Sequence, residues 1–132
     1  MTPYKLKIVA PDKLFFDGET EQIIVRTTEG NVGILANHTR YVANLPAGPL
    51  KIKLDGNFKT AAISGGVIKV SKNLVTILAI SIEWSEDIDV ERAKRAEERA
   101  RETLKAYQSG KEFEKASFQL KRALNRINIA SK

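Results

Sequence analysis

Hydrophobic and polar residues follow two different periods along this chain, and the period changes within residues 88–93. Before that point, apolar residues tend to alternate with polar ones in short runs that Gly, Pro and Asn interrupt, as expected for half-buried strands. After it, apolar residues recur every three or four positions, Pro is absent, and Gly110 is the sole Gly. The sequence therefore predicts a strand-rich domain, residues 1–85, followed by a helical domain, residues 86–132.

Short alternating runs in the first domain predict at least eight strands. The runs lie at residues 4–10, 14–16, 21–28, 32–35, 50–54, 58–63, 67–70 and 74–80. Asp55-Gly56 and Lys72-Asn73 are turn signals, and Pro46-Ala47-Gly48-Pro49 predicts an irregular bend. Strands this short, with turn signals roughly every 8 to 12 residues, predict a small antiparallel β-sandwich or barrel.

Alanine-rich stripes in the second domain predict two helices that pack as an antiparallel hairpin, with Asp87 or Asp89 as the first N-cap. The stripes are Ala93, Ala96, Ala100, Leu104 and Tyr107, then Phe113, Ala116, Leu120, Ala123, Leu124 and Ile127, with a break at Gln108-Ser109-Gly110. Because alanine buries little apolar area, such a pair is weakly held and can open into a helix of about 60 Å. A permanently docked hairpin is the alternative.

Composition excludes several classes of function. No apolar run reaches the roughly 18 residues of a membrane span, and the first residues lack the apolar core of a secretory signal, so we expect a cytoplasmic protein. With no Cys and one His, disulfides, thiolate nucleophiles and the usual zinc sites are not expected. The sequence has no Walker motif and no nucleophile–base pair, so we expect no independent enzymatic activity.

Positive charge is concentrated at the end of the chain. The formal charge of +6 divides evenly, with ten basic and seven acidic residues in 1–85 and twelve and nine in 86–132. From Lys115 onward there are five basic residues and no acidic one: Lys115, Lys121, Arg122, Arg126 and Lys132. This pattern predicts an anionic ligand or an acidic partner. A basic nucleic-acid adaptor is one alternative, although no groove-reading motif or series of stacking aromatics is present.

Three segments carry a resemblance to a known family: E-G-N-V-G-I-L-A-N-H at 29–38, A-I-S-G-G-V-I-K-V at 62–70 and V-T-I-L-A at 75–79. Together they resemble the epsilon subunit of bacterial F-type ATP synthase, over nearly the whole chain. Ala36 departs from the family, which usually has Pro there. The resemblance implies a sandwich of about ten strands that binds the gamma subunit and rests on the c-ring, with ring contact at residues 29–38. Without it, Gly30, Gly33, Gly65 and Gly66 are ordinary turn or bulge glycines.

Ile88-Asp89-Val90-Glu91-Arg92-Ala93 is similar to the I/L-D-x-x-R-A motif with which some bacterial epsilon subunits bind ATP. The resemblance assigns the nucleotide to Glu83, Ile88, Asp89, Arg92, Ala93, Arg99, Arg122 and Arg126. Helical spacing alone places Asp89, Arg92 and Arg99 on one face of the first helix. In an antiparallel hairpin, the end of the second helix lies beside the start of the first, so its arginines can join them to bind phosphate. The alternative is an i,i+3 pair of Asp89 with Arg92 and solvated arginines.

The resemblance implies a non-catalytic, central-stalk rotor subunit, peripheral at the cytoplasmic face of the bacterial plasma membrane. It would couple the catalytic head of alpha and beta subunits to the proton-translocating c-ring. Its C-terminal helices would extend along gamma, meet acidic beta-subunit surface and inhibit ATP hydrolysis. ATP would be a regulatory ligand, with or without Mg²⁺, that favours the folded hairpin. A rotor subunit without ATP sensing is the alternative.

Overall fold

The computed structural model describes residues 2–130, which form two compact units that meet between Trp84 and Ser85. Lys132, the last of the basic residues singled out above, lies outside the described residues. The first unit contains strands and the second contains helices, as the change of period predicts.

Eight strands make up the first unit. Their bounds are β1 Tyr4–Ala10, β2 Lys13–Thr20, β3 Gln22–Thr27, β4 Gly30–Leu35, β5 Tyr41–Leu54, β6 Asn57–Ser71, β7 Leu74–Ala79 and β8 Ile82–Trp84. They are hydrogen-bonded in the order β2-β1-β7-β6-β5-β3-β4, and β8 pairs with β6. The prediction of a β-sandwich is confirmed.

Two long strands account for the predicted number of about ten. β5 and β6 have 14 and 15 residues. Residues 41–45 of β5 pair with residues 66–70 of β6, and this part of β6 also pairs with β7. Residues 47–54 of β5 pair with residues 57–64 of β6, where β3 joins β5 and β8 joins β6. Each long strand therefore contributes a segment to both layers, one built on β2, β1 and β7 and the other on β8, β3 and β4.

The expected irregular bend at residues 46–49 is wrong in detail, because these residues lie within β5. The ladder pairs Leu45 with Gly66 and resumes with Ala47 opposite Ser64. Pro46 and Gly65 therefore form no pair in the ladder at the point where the strands pass from one layer to the other. Because Pro46 is unpaired, its lack of an N–H removes no hydrogen bond between the strands. A second departure is that β1 pairs with β7 in parallel, whereas the other pairs are antiparallel.

Alternating side chains fill the space between the two layers. The largest fully buried side chains are Leu6, Ile8, Ile23, Ile34, Leu50, Ile52, Ile68, Ile77 and Val25. Tyr4 on β1 spans the layers, since its hydroxyl donates to the Ile34 carbonyl on β4 at 2.6 Å. Burial of Tyr4 raises its pKa to about 12. The Thr20 hydroxyl makes a second link, donating to the Lys53 carbonyl at 2.7 Å.

A short 3₁₀ turn and two α-helices make up the second unit. The turn is Ser85–Asp87, α1 is Val90–Ala106 and α2 is Gly110–Ala130. The two helices pack against each other. Because only Tyr107, Gln108 and Ser109 connect them, they run antiparallel, and the predicted hairpin is confirmed.

Candidate functional site

Alanines form the buried face of the hairpin. Ala93 and Ala100 on α1, and Ala116 and Ala123 on α2, are each at most 2% exposed. Members of each pair are seven residues apart, two helical turns, so each helix presents one narrow stripe. Two residues of the predicted stripes are not buried. Tyr107 is 49% exposed because it follows the end of α1, and Leu124 is 40% exposed because it lies beside the stripe of α2. Alanine methyl groups therefore form much of the fully buried surface of the two helices, and Ile129 adds to it near the end of α2.

Asp89 begins α1 as its N-cap, one of the two positions predicted. Its side-chain Oδ1 accepts a hydrogen bond from the Arg92 backbone N–H at 3.1 Å, and its carbonyl accepts from the Ala93 N–H at 3.0 Å. Among residues 2–130 its carboxylate does not pair with the Arg92 guanidinium. The i,i+3 ion pair is therefore absent, and the carboxylate satisfies the orphan amide of the first turn instead.

Four of the predicted arginines lie on the same side of the hairpin. Arg92 and Arg99 each directly precede a buried alanine, which puts both on one flank of the α1 stripe. Arg122 and Arg126 lie one residue before and three after Ala123, which places them on the corresponding flank of α2. In an antiparallel pair these two flanks face the same side. Arg92, Arg122 and Arg126 lie toward the open end, and Arg99 lies about 10 Å farther along α1.

Three of these guanidinium groups have no protein anion to neutralise them. Arg92, Arg99 and Arg122 are exposed, and within the described part of the chain no carboxylate pairs with them. Arg126 is half-buried and does have an interaction partner. Elsewhere on α1, Arg101 and Glu97 form an ion pair at 2.9 Å. Unpaired guanidinium groups on one side of a hairpin are suited to bind phosphate oxygens.

The other three predicted residues differ from one another in setting. Ile88 is 9% exposed and Ala93 is fully buried, so both side chains take part in packing. Glu83 belongs to the first unit, where it lies half-buried on β8 opposite Ala62. The predicted set thus divides into one residue on the sandwich and seven on the helical unit.

An apolar patch on the outer face of the first layer was not predicted. Val9, Leu78 and Val67 lie side by side on β1, β7 and β6, and Ile80 follows Leu78 two residues on. Leu78 is 57% and Ile80 59% exposed. The run Leu74–Ile80 carries apolar residues on both faces, which is the signal that could have revealed it. An exposed patch of this kind indicates a contact with another protein.

Residues 29–38, the predicted ring-contact segment, form a turn, strand β4 and a second turn. Asn37 takes a positive φ of 65°, and the His38 Nδ1 lies 2.8 Å from the Thr39 carbonyl. Beside this segment is a cleft of about 250 Å³ lined by Thr27, Thr28, Glu29, Tyr41, Val42, Ala43 and Asn44. The lining is mainly polar, so this edge is suited to a hydrophilic partner surface.

The described residues contain no group of His, Cys, Asp and Glu that could hold a metal ion. Within the same residues, 2–130, no helix is both long enough and apolar enough to cross a lipid bilayer.

Two family models match consecutive parts of the chain. Residues 3–85 match the model described as ATP synthase, Delta/Epsilon chain, beta-sandwich domain. Residues 86–131 match the model described as ATP synthase, Delta/Epsilon chain, long alpha-helix domain. The two matches together span almost the whole sequence.

Curated relatives named ATP synthase epsilon chain align over the full length. The protein from Ruminococcus albus is 50% identical and covers 100% of this chain and 99% of its own. The protein from Caldanaerobacter subterraneus is 45% identical over 98% of this chain and 94% of its own. The protein from Bacillus pumilus is 40% identical over 100% of both.

Solved structures share the fold. A chain in the cryo-EM structure of Euglena gracilis mitochondrial ATP synthase, OSCP/F1/c-ring in rotational state 1, superposes with a TM-score of 0.74 at 27% identity, covering 96% of this chain and 79% of that one. A chain of the Tetrahymena thermophila mitochondrial ATP synthase central stalk/c-ring gives 0.56 at 22% identity, covering 64% and 69%, which is a likeness of fold.

Proposed function

This chain belongs to the epsilon chains of F-type ATP synthase, which are non-catalytic subunits, and we propose that it couples the rotor and senses ATP through its helical unit. Its partners in this proposal are the gamma subunit, the c-ring and the catalytic head of alpha and beta subunits. The complex would be held at the cytoplasmic face of the bacterial plasma membrane, with this subunit peripheral to it.

Coupling requires that the sandwich bind two neighbouring parts of the rotor, the gamma subunit and the c-ring. The apolar patch of Val9, Val67, Leu78 and Ile80 offers a hydrophobic surface for gamma, and three of its four residues lie on paired strands. The polar edge at residues 29–38 and its adjoining cleft offer a hydrophilic surface for the loops of the c-ring. A rotor subunit has to transmit torque, and both surfaces stand on strands that are well packed from within.

ATP sensing is supported chiefly by the arginines of the hairpin. Arg92, Arg99 and Arg122 are unpaired among the described residues, and with Arg126 they lie on one side of the hairpin. A triphosphate carries the multiple oxygens that such groups bind in bidentate fashion. Asp89 would serve as an acceptor for the adenine amino group or the ribose hydroxyls, and a role for Glu83 stays a prediction of the family resemblance. The site would hold ATP without hydrolysing it, and Mg²⁺ would enter with the nucleotide if at all.

Such a ligand would stabilise the folded hairpin through mass action. A ligand that binds only the folded form contributes RT ln(1 + [L]/Kd), which is about 2.7 kcal/mol at a hundredfold excess over Kd. The alanine-faced interface is weak enough for this contribution to decide between folded and open forms. At high ATP the helices stay retracted. At low ATP they open, extend along gamma and stop the complex from hydrolysing the ATP that remains.

Calorimetric titration of the full chain with ATP tests the sensing proposal. Arg92→Gln is expected to weaken ATP binding at least tenfold, because it removes one unpaired guanidinium, whereas Lys94→Gln is the control. Lys94 is exposed on the same helix and lies about 100° around α1 from Ala93, on the flank opposite to Arg92. Absence of heat with a normally folded wild-type chain would leave a rotor subunit without ATP sensing.

Inhibition is tested in the assembled ATP synthase. Charge reversal of Lys121, Arg122 and Arg126 is expected to relieve inhibition of ATP hydrolysis, because the acid-free end of α2 would then repel acidic beta-subunit surface. A complex that remains as inhibited with the reversed helix as with the natural one would contradict this electrostatic role.

A further inference from the structure

The sandwich unit ends in a stack of two aromatic rings, each with a lysine ammonium over it. The ring centroids of Phe15 and Trp84 lie 4.6 Å apart, with their planes inclined by 36°. The Lys59 ammonium lies over the Trp84 ring, 4.2 Å from its centroid, and the Lys13 ammonium lies 5.6 Å from the centroid of Phe15. The stack joins β2, at the edge of one layer, to β8, at the edge of the other.

Strand register explains why these side chains meet. On β1, Ile8 pairs with Phe16 and Val9 pairs with Leu14, so Phe15 is the extra residue of a β-bulge. Bulges re-aim a side chain, and here the re-aimed ring reaches Trp84. On the other layer, Trp84 lies opposite Ala61, and Lys59 is two residues away on the same face of β6.

β8 depends on this stack because its own pairing is small. It has three residues and pairs with β6 along one side. Ile82 and Trp84 point to the same face, where Ile82 is 3% exposed in the core and Trp84 packs against it. A three-residue edge strand is expected to fray unless side chains hold it. Aromatic and cation–π contacts of this geometry each shift an opening equilibrium by about tenfold.

We propose that the Phe15–Trp84 stack, with Lys59 over Trp84 and Lys13 over Phe15, is the fixed end of the sandwich. In this arrangement β8 and Glu83 stay on the sandwich in every state of the helical unit, and the chain bends within residues 85–89. The moving arm then starts at Val90, and its 41 residues to Ala130 set a reach of about 60 Å when extended. This inference concerns the position at which the chain bends, and it does not require ATP to bind.

Trp84 is the single Trp of the chain, so its fluorescence reports whether β8 stays packed on the sandwich. In the full-length chain, Ala100→Glu with Ala116→Glu places charges in the helix interface and opens the hairpin. We expect lost hydrogen-exchange protection in α2, with an unchanged Trp84 emission maximum and unchanged protection of the peptide 80–84. A red-shifted emission, or loss of protection at 80–84 together with α2, would overturn the proposal.

Variants of the stack test its part in holding β8. Lys59→Gln and Phe15→Leu are each expected to speed exchange of peptide 80–84 about tenfold and to leave β7 unchanged. Lys69→Gln, on the same strand, and Phe58→Leu are the matched controls. Equal exchange in stack variants and controls would overturn the assignment. Because these experiments open the hairpin by substitution and use no nucleotide, failure of the natural chain to bind ATP would defeat the sensing proposal and leave this one standing.

Discussion

At the scale of single residues, Asp89 has two separable roles. Its Oδ1 accepts from the Arg92 N–H as the N-cap of α1, and its charge would face a nucleotide in the proposed site. Asn caps a helix about as well as Asp, whereas Ala does not. We predict that Asp89→Ala destabilises the hairpin by about 1 kcal/mol and that Asp89→Asn leaves its stability nearly unchanged.

Circular dichroism melts of both variants measure the cap, and ATP titration of Asp89→Asn measures the charge. If Asp89→Asn melts like the natural chain but binds ATP less tightly, the carboxylate acts on the ligand. If both variants lose the same helicity, the cap geometry described here is wrong.

Tyr4 gives the sandwich a dependence on alkaline pH. Burial raises the pKa of Tyr4 to about 12 from a usual value of about 10, so the folded state keeps a proton that the unfolded state loses in that window. Stability from this group is complete below pH 10 or so and is lost as the pH rises toward 12. We predict that Tyr4→Phe costs about 1 kcal/mol at neutral pH, through its lost bond to Ile34.

The stability of the same variant should depend less on pH than that of the natural chain between about pH 9.5 and 11.5. The stability difference therefore changes by about 2 kcal/mol and reverses sign, so that the variant is the more stable protein near pH 11.5. Urea unfolding at matched pH values measures this difference. A gap that stays constant over the window would show that Tyr4 does not carry the dependence.

At the scale of elements, Gly66 sets how closely β6 approaches β7. A Cβ on Gly66 would lie 2.3 Å from the Leu78 carbonyl oxygen and 3.1 Å from the Ala79 Cα. Both are backbone atoms, so the strands themselves would have to separate. We predict that Gly66→Ala destabilises the sandwich by about 3 kcal/mol. Gly56→Ala is the control: its φ of 84° is strained for alanine, but nothing lies within 4 Å, and about 1 kcal/mol is expected. Equal losses in urea unfolding would contradict the close approach.

Local pattern was enough to predict most elements, and tertiary pairing decides the rest. Asp55-Gly56 was recognised as a hairpin turn because both residues tolerate positive φ, observed at 51° and 84°. β8 was missed because three residues show no period, and it exists through pairing with Ala61–Ile63 some twenty residues earlier. The parallel pairing of β1 with β7 joins segments about seventy residues apart, which alternation cannot encode.

The candidate site was predictable to the level of the helix face. Spacing places Arg92 and Arg99 on one flank, and that prediction needs only helical geometry. Asp89 binds the Arg92 backbone amide and leaves the Arg92 guanidinium unpaired. This arrangement depends on the cap conformation of Asp89, with φ −81° and ψ 97°. The 3₁₀ turn Ser85–Asp87 precedes this cap, and three residues are too few to show a period in the sequence.

At the scale of the whole molecule, the two units differ in how much of their stability they can supply alone. The buried cluster of the sandwich is formed by residues from Tyr4 to Ile82, all before the boundary after Trp84. The helical unit relies on Ala93, Ala100, Ala116 and Ala123, together with Ile88 and Ile129. A buried methyl contributes about 0.8 kcal/mol, so four alanines offset the ordering entropy of only a few residues.

Truncation after Trp84 is therefore predicted to leave a folded sandwich. A peptide of residues 85–132 should be largely unfolded in water, because isolated helices of this length have marginal stability. Amide spectra of the truncated chain should overlay those of β1 to β7 in the full chain, and the peptide should show weak helicity that rises when an arginine-binding polyanion such as triphosphate is added. The sandwich would keep its apolar patch and its polar edge, the surfaces proposed for gamma and the c-ring, and under the ATP-sensing proposal it would lose its response to ATP. A truncated chain that fails to fold would mean that the helices supply part of the sandwich's stability, and the proposed release of the hairpin would then carry a cost that ATP concentration alone could not balance.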